Sequence, residues 1–125
     1  MKAYRVHEYG DAAKFIEDEV NKPSAKKGHV VVEVKASSLN PIDHKFLKRD
    51  LGINPALPGI LHMDVAGVIT EVGEGVTDFK TGDEVYGCAG GLQGEAGNIE
   101  GALADFMLAD SNLIALKPKS LNFSE

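Results

Sequence analysis

The 125-residue chain is 43% hydrophobic and 26% charged, the balance of an ordinary soluble domain, and its length suits one domain whose core needs no disulfide or structural metal. A net charge of -6 and short, interrupted lysine clusters exclude a nucleic-acid partner. No apolar run approaches the roughly 20 residues of a membrane span, and the start "MKAYRVHEYG" lacks the apolar stretch of a secretory signal.

Short apolar runs punctuated by the 14 glycines and 5 prolines predict a mainly β chain. "KAYRVHEY" (2–9) and "FIEDEV" (15–20) read as a first pair of strands. "HVVVEVKAS" (29–37) is the clearest strand, with Val30, Val32, Val34 and Ala36 on the core face and Glu33 and Lys35 on the other. "NPIDHKFLKRD" (40–50) then changes period: Asn40 suits an N-cap, Pro41 the first helical position and Asp43 the residue that answers the cap. A short helix is expected there.

Further strands are expected at "DVAGVITEV" (64–72), "DEVYGC" (83–88), "ALADFMLAD" (102–110) and "LIALKP" (113–118). The glycine-rich "AGGLQGEAGNIEG" between the second and third of these runs is expected to be a flexible loop. About seven short strands with turn signals between them predict a barrel, closed or nearly so, or a sandwich. The single cysteine, Cys88, cannot form an internal disulfide, which agrees with a reducing, cytoplasmic setting.

The runs "VKASSLNPIDHK", "PGILHMDVAGVI" and "VGEGVTDFKTGDEVYG", in that order and spacing, resemble the N-terminal GroES-like catalytic domain of the medium-chain dehydrogenase/reductase superfamily. The resemblance covers nearly all 125 residues, here expected to form a single GroES-like domain, and is nearest to quinone oxidoreductases and zinc-type alcohol dehydrogenase-like proteins. It implies a partly open β-barrel with one or two short helices. It also implies NADPH as hydride donor, bound between this domain and a Rossmann domain.

Two departures bear on the metal. The zinc enzymes of the family carry a cysteine where this chain has Asn40, and a histidine where it has Met63, while Asp64 takes the place of their glutamate. Asn and Met are poor zinc ligands, so no metal is expected. His62 is one residue away, but if it lies on a strand its side chain faces the other side. The four closely spaced cysteines of a structural zinc lobe are also missing, since Cys88 stands alone.

Without a Lewis acid the substrate must accept hydride readily or be polarised by hydrogen bonds, which fits quinones and α,β-unsaturated carbonyls. By resemblance, Asn40, Pro41, Ile42, Asp43 and Lys45 face the nicotinamide, with Asn40 the polar contact to cofactor or substrate. Asn40 and Asp43 serve equally well as a helix cap alone, Lys45 as a solvated surface residue, and Met63 as a core methionine rather than a pocket wall. Asp64 is read as a hydrogen-bonding residue of the vacated zinc position, and Tyr86 and Phe106 as core or cleft-wall aromatics. The enoyl thioester reductases of the superfamily place a proton-donating tyrosine about eleven residues beyond the loop asparagine, where this chain has Leu51.

No G-x-G-x-x-G turn occurs in the 125 residues, and "KSLNFSE" falls where relatives begin the crossover to their Rossmann domain. The chain alone is therefore expected to bind no cofactor and to be inactive. It is also expected to expose an apolar face through which it pairs with the missing domain or forms a homodimer. Two alternatives stay open: a stand-alone GroES-like interaction module, and a zinc-containing alcohol dehydrogenase-like enzyme with unexpected ligands.

Overall fold

A computed structural model describes residues 1–94 and 97–125. The described residues form β1 (Lys2–Val6), β2 (Phe15–Glu19), β3 (His29–Ser37), α1 (Pro41–Lys48), β4 (Gly59–Ile60) and β5 (Asp64–Val72). There follow β6 (Glu84–Cys88), β7 (Leu92–Gly94), β8 (Gly97–Ile99), β9 (Phe106–Asp110), a 3-10 turn (Ser111–Leu113) and β10 (Ile114–Leu116). All named pairings are antiparallel, in three sheets ordered β2-β1-β4, β10-β6-β5-β3-β9 and β7-β8. The sheets do not close on one another, which makes the architecture an open, GroES-like barrel. No described helix is long and apolar enough to cross a membrane.

The central strands carry the larger core. β5 alternates strictly, turning Val65, Gly67 and Ile69 inward. Val30, Val32, Ile69, Val85, Met107 and Ala109 meet there with almost no exposure. β3 breaks the expected alternation: Val31 is as buried as Val30 and Val32, whereas Val34 and Ala36 are only partly covered. Register shifts against β5 between Val31 and Val32, and again between Val34 and Ala36, explain the change, because each irregularity re-aims the side chains that follow it.

A second, smaller core of Val6, Phe46 and Leu61 joins α1 to the rest, with Ile42, Leu47, Leu51 and Met63 packed around it. Met63 is thus a packing residue of this cluster. Asn54, 4% exposed, fastens the far end of α1: its amide donates to the carbonyls of Phe46 and Arg49 while its oxygen accepts from Leu51 N–H.

Two expectations need correction. The segment read as a flexible glycine-rich loop contains the hairpin β7-β8 on either side of the undescribed residues 95 and 96, with Leu92 opposite Ile99 and Gln93 opposite Asn98. Backbone pairing of alternating residues outweighs glycine content once Asn98 and Glu100 anchor the segment to Ala56 and Ile60. His62, in turn, precedes β5 rather than lying on it, so the strand argument about its direction does not apply.

Candidate active-site cleft

The helix start is built as the sequence dictates. The Asp43 carboxylate reaches back to accept the Asn40 backbone N–H at 2.8 Å, and the Asp43 N–H donates to the Asn40 carbonyl at 3.0 Å. Asp43 is fully buried because its other oxygen accepts the His62 backbone N–H at 3.1 Å. One carboxylate therefore ties α1 to the chain just ahead of β5.

That contact fixes an unusual conformation. His62 has φ of 72°, and it is the one non-glycine residue at positive φ among the described residues. Its N–H is held by Asp43 and its carbonyl accepts from Ala102 N–H at 2.8 Å. The segment of Gly101 lies so close that a Cβ there would stand 1.9 Å from the Leu61 carbonyl oxygen, so only glycine lets the two backbones pair. The imidazole is 8% exposed, edge-on to Phe15, with Nδ1 2.9 Å from the Ser37 hydroxyl. Burial pushes the His62 pKa down, against the opposing pull of Asp43 and Asp64.

Next to it the polar run at the end of β3 meets the start of β5. Ser38 Oγ donates to Asp64 Oδ2 at 2.7 Å, and Asn40 Nδ2 donates to the same oxygen at 2.8 Å. The Ser38 hydroxyl first, then the Asn40 amide, hold the Asp64 carboxyl below the usual carboxylate range; burial opposes them, and the neighbouring Cys88 thiol adds a smaller lowering. Cys88 faces Asp64 because the two are paired in register across β5 and β6. Its thiol is pushed up, by burial first and then by the Asp64 charge.

These residues open onto a cleft of about 490 Å³, within the range of small-molecule sites. Its walls are Ala36–Ser38, Asp64–Ala66, Tyr86–Cys88, Lys117–Pro118 and Leu121–Glu125. Lys117 shapes that last wall: its ammonium lies 3.1 Å from Glu84, donates to the Pro118 and Leu121 carbonyls and sits over the Phe123 ring. Tyr86, 48% exposed, is a cleft-wall aromatic. Asp64 lies in the wall itself, whereas Asn40 stands behind it and Met63 packs in the smaller core. Pro41 and Lys45 are exposed on α1, and Asp43 is the buried tie described above.

The donor chemistry does not fit zinc. Asn40 presents an N–H to Asp64, Met63 packs with the core, and among the described residues no group of three His, Cys, Asp or Glu could hold a metal. The residues also supply no turn that would hold a dinucleotide pyrophosphate, although the cleft has room for a nicotinamide ring.

Sequence reasoning located Asn40, Asp43 and Asp64, set His62 aside on the strand argument, read Cys88 only as a lone cysteine, and did not single out Ser37 or Ser38. The signal for the serines was present: "SSLN" follows directly on an apolar strand, where a packing role would not call for three polar residues in four.

The model of the "Alcohol dehydrogenase GroES-like domain" family matches residues 26–119. The chain is 38% identical over its whole length to the tomato (Solanum lycopersicum) 2-methylene-furan-3-one reductase, covering 33% of that protein. It is 36% identical, again over its whole length, to the chloroplastic NADPH-dependent alkenal/one oxidoreductase of Arabidopsis thaliana, covering 33% of it. Among solved structures, an alcohol dehydrogenase superfamily protein from Novosphingobium aromaticivorans superposes with a TM-score of 0.86 at 33% identity, over 98% of this chain and 36% of that one. The quinone oxidoreductase of Coxiella burnetii gives 0.79 at 26% identity, over 99% and 39%. The chain spans about a third of the length of the curated relatives it matches. It belongs to the alcohol dehydrogenase GroES-like domain family of the medium-chain dehydrogenase/reductase superfamily.

Proposed function

We propose that this chain is the substrate-side domain of a zinc-independent, NADPH-dependent reductase acting on α,β-unsaturated carbonyls or quinones. The observation that carries the reading is the state of Asp64. At the position of the zinc enzymes' glutamate, its carboxylate already accepts from Ser38 and Asn40, and neither Asn40 nor Met63 offers a ligand beside it. The names of the two plant relatives, a furanone reductase and an alkenal/one oxidoreductase, support the substrate class.

Bound NADPH would supply the hydride. The residues of this chain orient the acceptor and exclude water. Asn40 carries two amide hydrogens, of which Asp64 takes one, leaving the second available to cofactor or substrate. Asp64, held ionised, donates no proton; it fixes Ser38 and Asn40 and favours positive charge developing on a neighbouring nicotinamide. Tyr86 supplies an apolar wall. Pro41 and Lys45 border the cofactor from α1, and the remaining cofactor contacts come from a dinucleotide-binding domain outside these residues.

The test is NADPH oxidation followed at its absorbance maximum, with a 2-alkenal and a benzoquinone as acceptors, using the full-length natural protein and the 125-residue chain separately. Turnover of either acceptor by the full-length protein and none by the chain alone is the expected result. Full-length protein that oxidises NADPH with neither acceptor would overturn the reading.

A further inference from the structure

Two features of His62 have no part in the function proposed so far. It holds a left-handed backbone conformation that costs a non-glycine residue free energy, and it buries an imidazole that bonds a hydroxyl on the cleft wall. Strain of this kind persists only where the surroundings enforce it, and it gathers at functional positions. Here Asp43 and Ala102 enforce it from both sides of the peptide. Glycine would hold the turn without strain; histidine adds only its ring, and the ring's polar partner is Ser37.

Building on the reductase reading, the geometry points to a Ser37–His62 pair that delivers the proton completing reduction of the substrate double bond. Hydride adds to the β-carbon of the enone, and the π electrons move onto the carbonyl oxygen to give an enolate. The enolate takes the Ser37 hydroxyl proton at its α-carbon, forming the new C–H bond. Ser37 Oγ regains a proton from His62 Nδ1, 2.9 Å away, as Nε2 takes one from solvent, and proton exchange with solvent then returns the ring to its starting tautomer. One hydride and one solvent proton are consumed per double bond.

The neighbours of the ring suit a relay. Asp43 and Asp64 are the charged groups that act on it, and burial outweighs both, so the imidazole is neutral near pH 7 and passes a proton on rather than storing one. Asp64 cannot take this role, because Ser38, Asn40 and Cys88 keep it ionised. Cys88 is the poorer donor, since burial and the Asp64 charge push its thiol up. Ser37 would be the catalytic residue and His62 the group that positions and recharges it.

The experiment uses the full-length protein with NADPH and a 2-alkenal. Ser37→Ala suits it because Ser37 is exposed, so the fold does not depend on its hydroxyl. His62→Asn is the second variant, since asparagine tolerates positive φ. The pair predicts a kcat lower by about 100-fold in Ser37→Ala, the low end for a lost general acid, with KM within about twofold and a solvent deuterium effect altered from wild type. Ser37→Thr, which keeps the hydroxyl, should restore most of the rate.

Imidazole nitrogen NMR gives a readout independent of turnover: the His62 resonances should shift in Ser37→Ala. Ser37→Ala and His62→Asn enzymes with wild-type kcat and solvent effect, or a His62 ring indifferent to Ser37→Ala, would overturn the relay while leaving the reductase reading intact. Wild-type protein that reduces benzoquinone but no alkenal would overturn the relay alone, and protein inactive on both acceptors would overturn the reductase reading and the relay together.

Discussion

Asp43 offers the sharpest test of how the site is held. Its buried carboxylate accepts two backbone N–H groups, from Asn40 at 2.8 Å and from His62 at 3.1 Å. In Asp43→Asn one oxygen still accepts, but the new amide confronts the other N–H donor to donor. The loss is one charge-assisted bond, about 1.5–3 kcal/mol, together with about 0.3–1 kcal/mol of favourable charge in the first turn of α1, or about 3 kcal/mol in all. With an unfolding entropy of about 2 cal/mol/K per residue over the 125 residues, that lowers Tm by about 11 °C. Circular dichroism during thermal unfolding reads the shift directly. If Tm moved by less than about 2 °C, Asp43 would be an ordinary cap and not the tie that sets the His62 turn.

His62 should make stability pH-dependent near neutrality. Its pKa in the folded protein lies below the 6.5 of the free side chain, so the unfolded chain binds more protons as pH falls. Stability is then fully present above about pH 6.5 and declines below it, and His62→Asn should flatten the slope in denaturant titrations at successive pH values. Cys88 is exposed, yet burial of its sulfur and the Asp64 charge raise its pKa, so iodoacetamide should label it more slowly at pH 7 than a free thiol. Asp64→Asn should speed that labelling, and an unchanged rate would show that the two groups do not interact. Gly101→Ala would place a methyl 1.9 Å from the Leu61 carbonyl oxygen; the backbone must part, at a cost of about 3 kcal/mol or more, seen as a sharp loss of soluble yield or of Tm.

The parts of the fold written in local periodicity were legible in the sequence. β5 forms over the expected residues 64–72 and Pro41 opens α1 behind Asn40, because strand composition and capping chemistry act within a few residues. Asp64 could be placed through the motif around it. What tertiary contacts decide was not legible. Val31 is buried because β3 shifts register against β5, and the hairpin β7-β8 forms where glycines had pointed to a loop. The His62 turn depends on a carboxylate 19 residues earlier and on the backbone of Ala102, neither of which a local reading brings near it. Cys88 enters the site only because β6 pairs with β5 in a register that sets it opposite Asp64.

Metal analysis of the full-length protein, combined with its NADPH-dependent alkenal reduction before and after chelation, tests most directly the proposal that reduction proceeds without zinc. No stoichiometric zinc and an unchanged rate are expected. Stoichiometric zinc, with activity lost on chelation and regained when zinc is restored, would contradict the proposal.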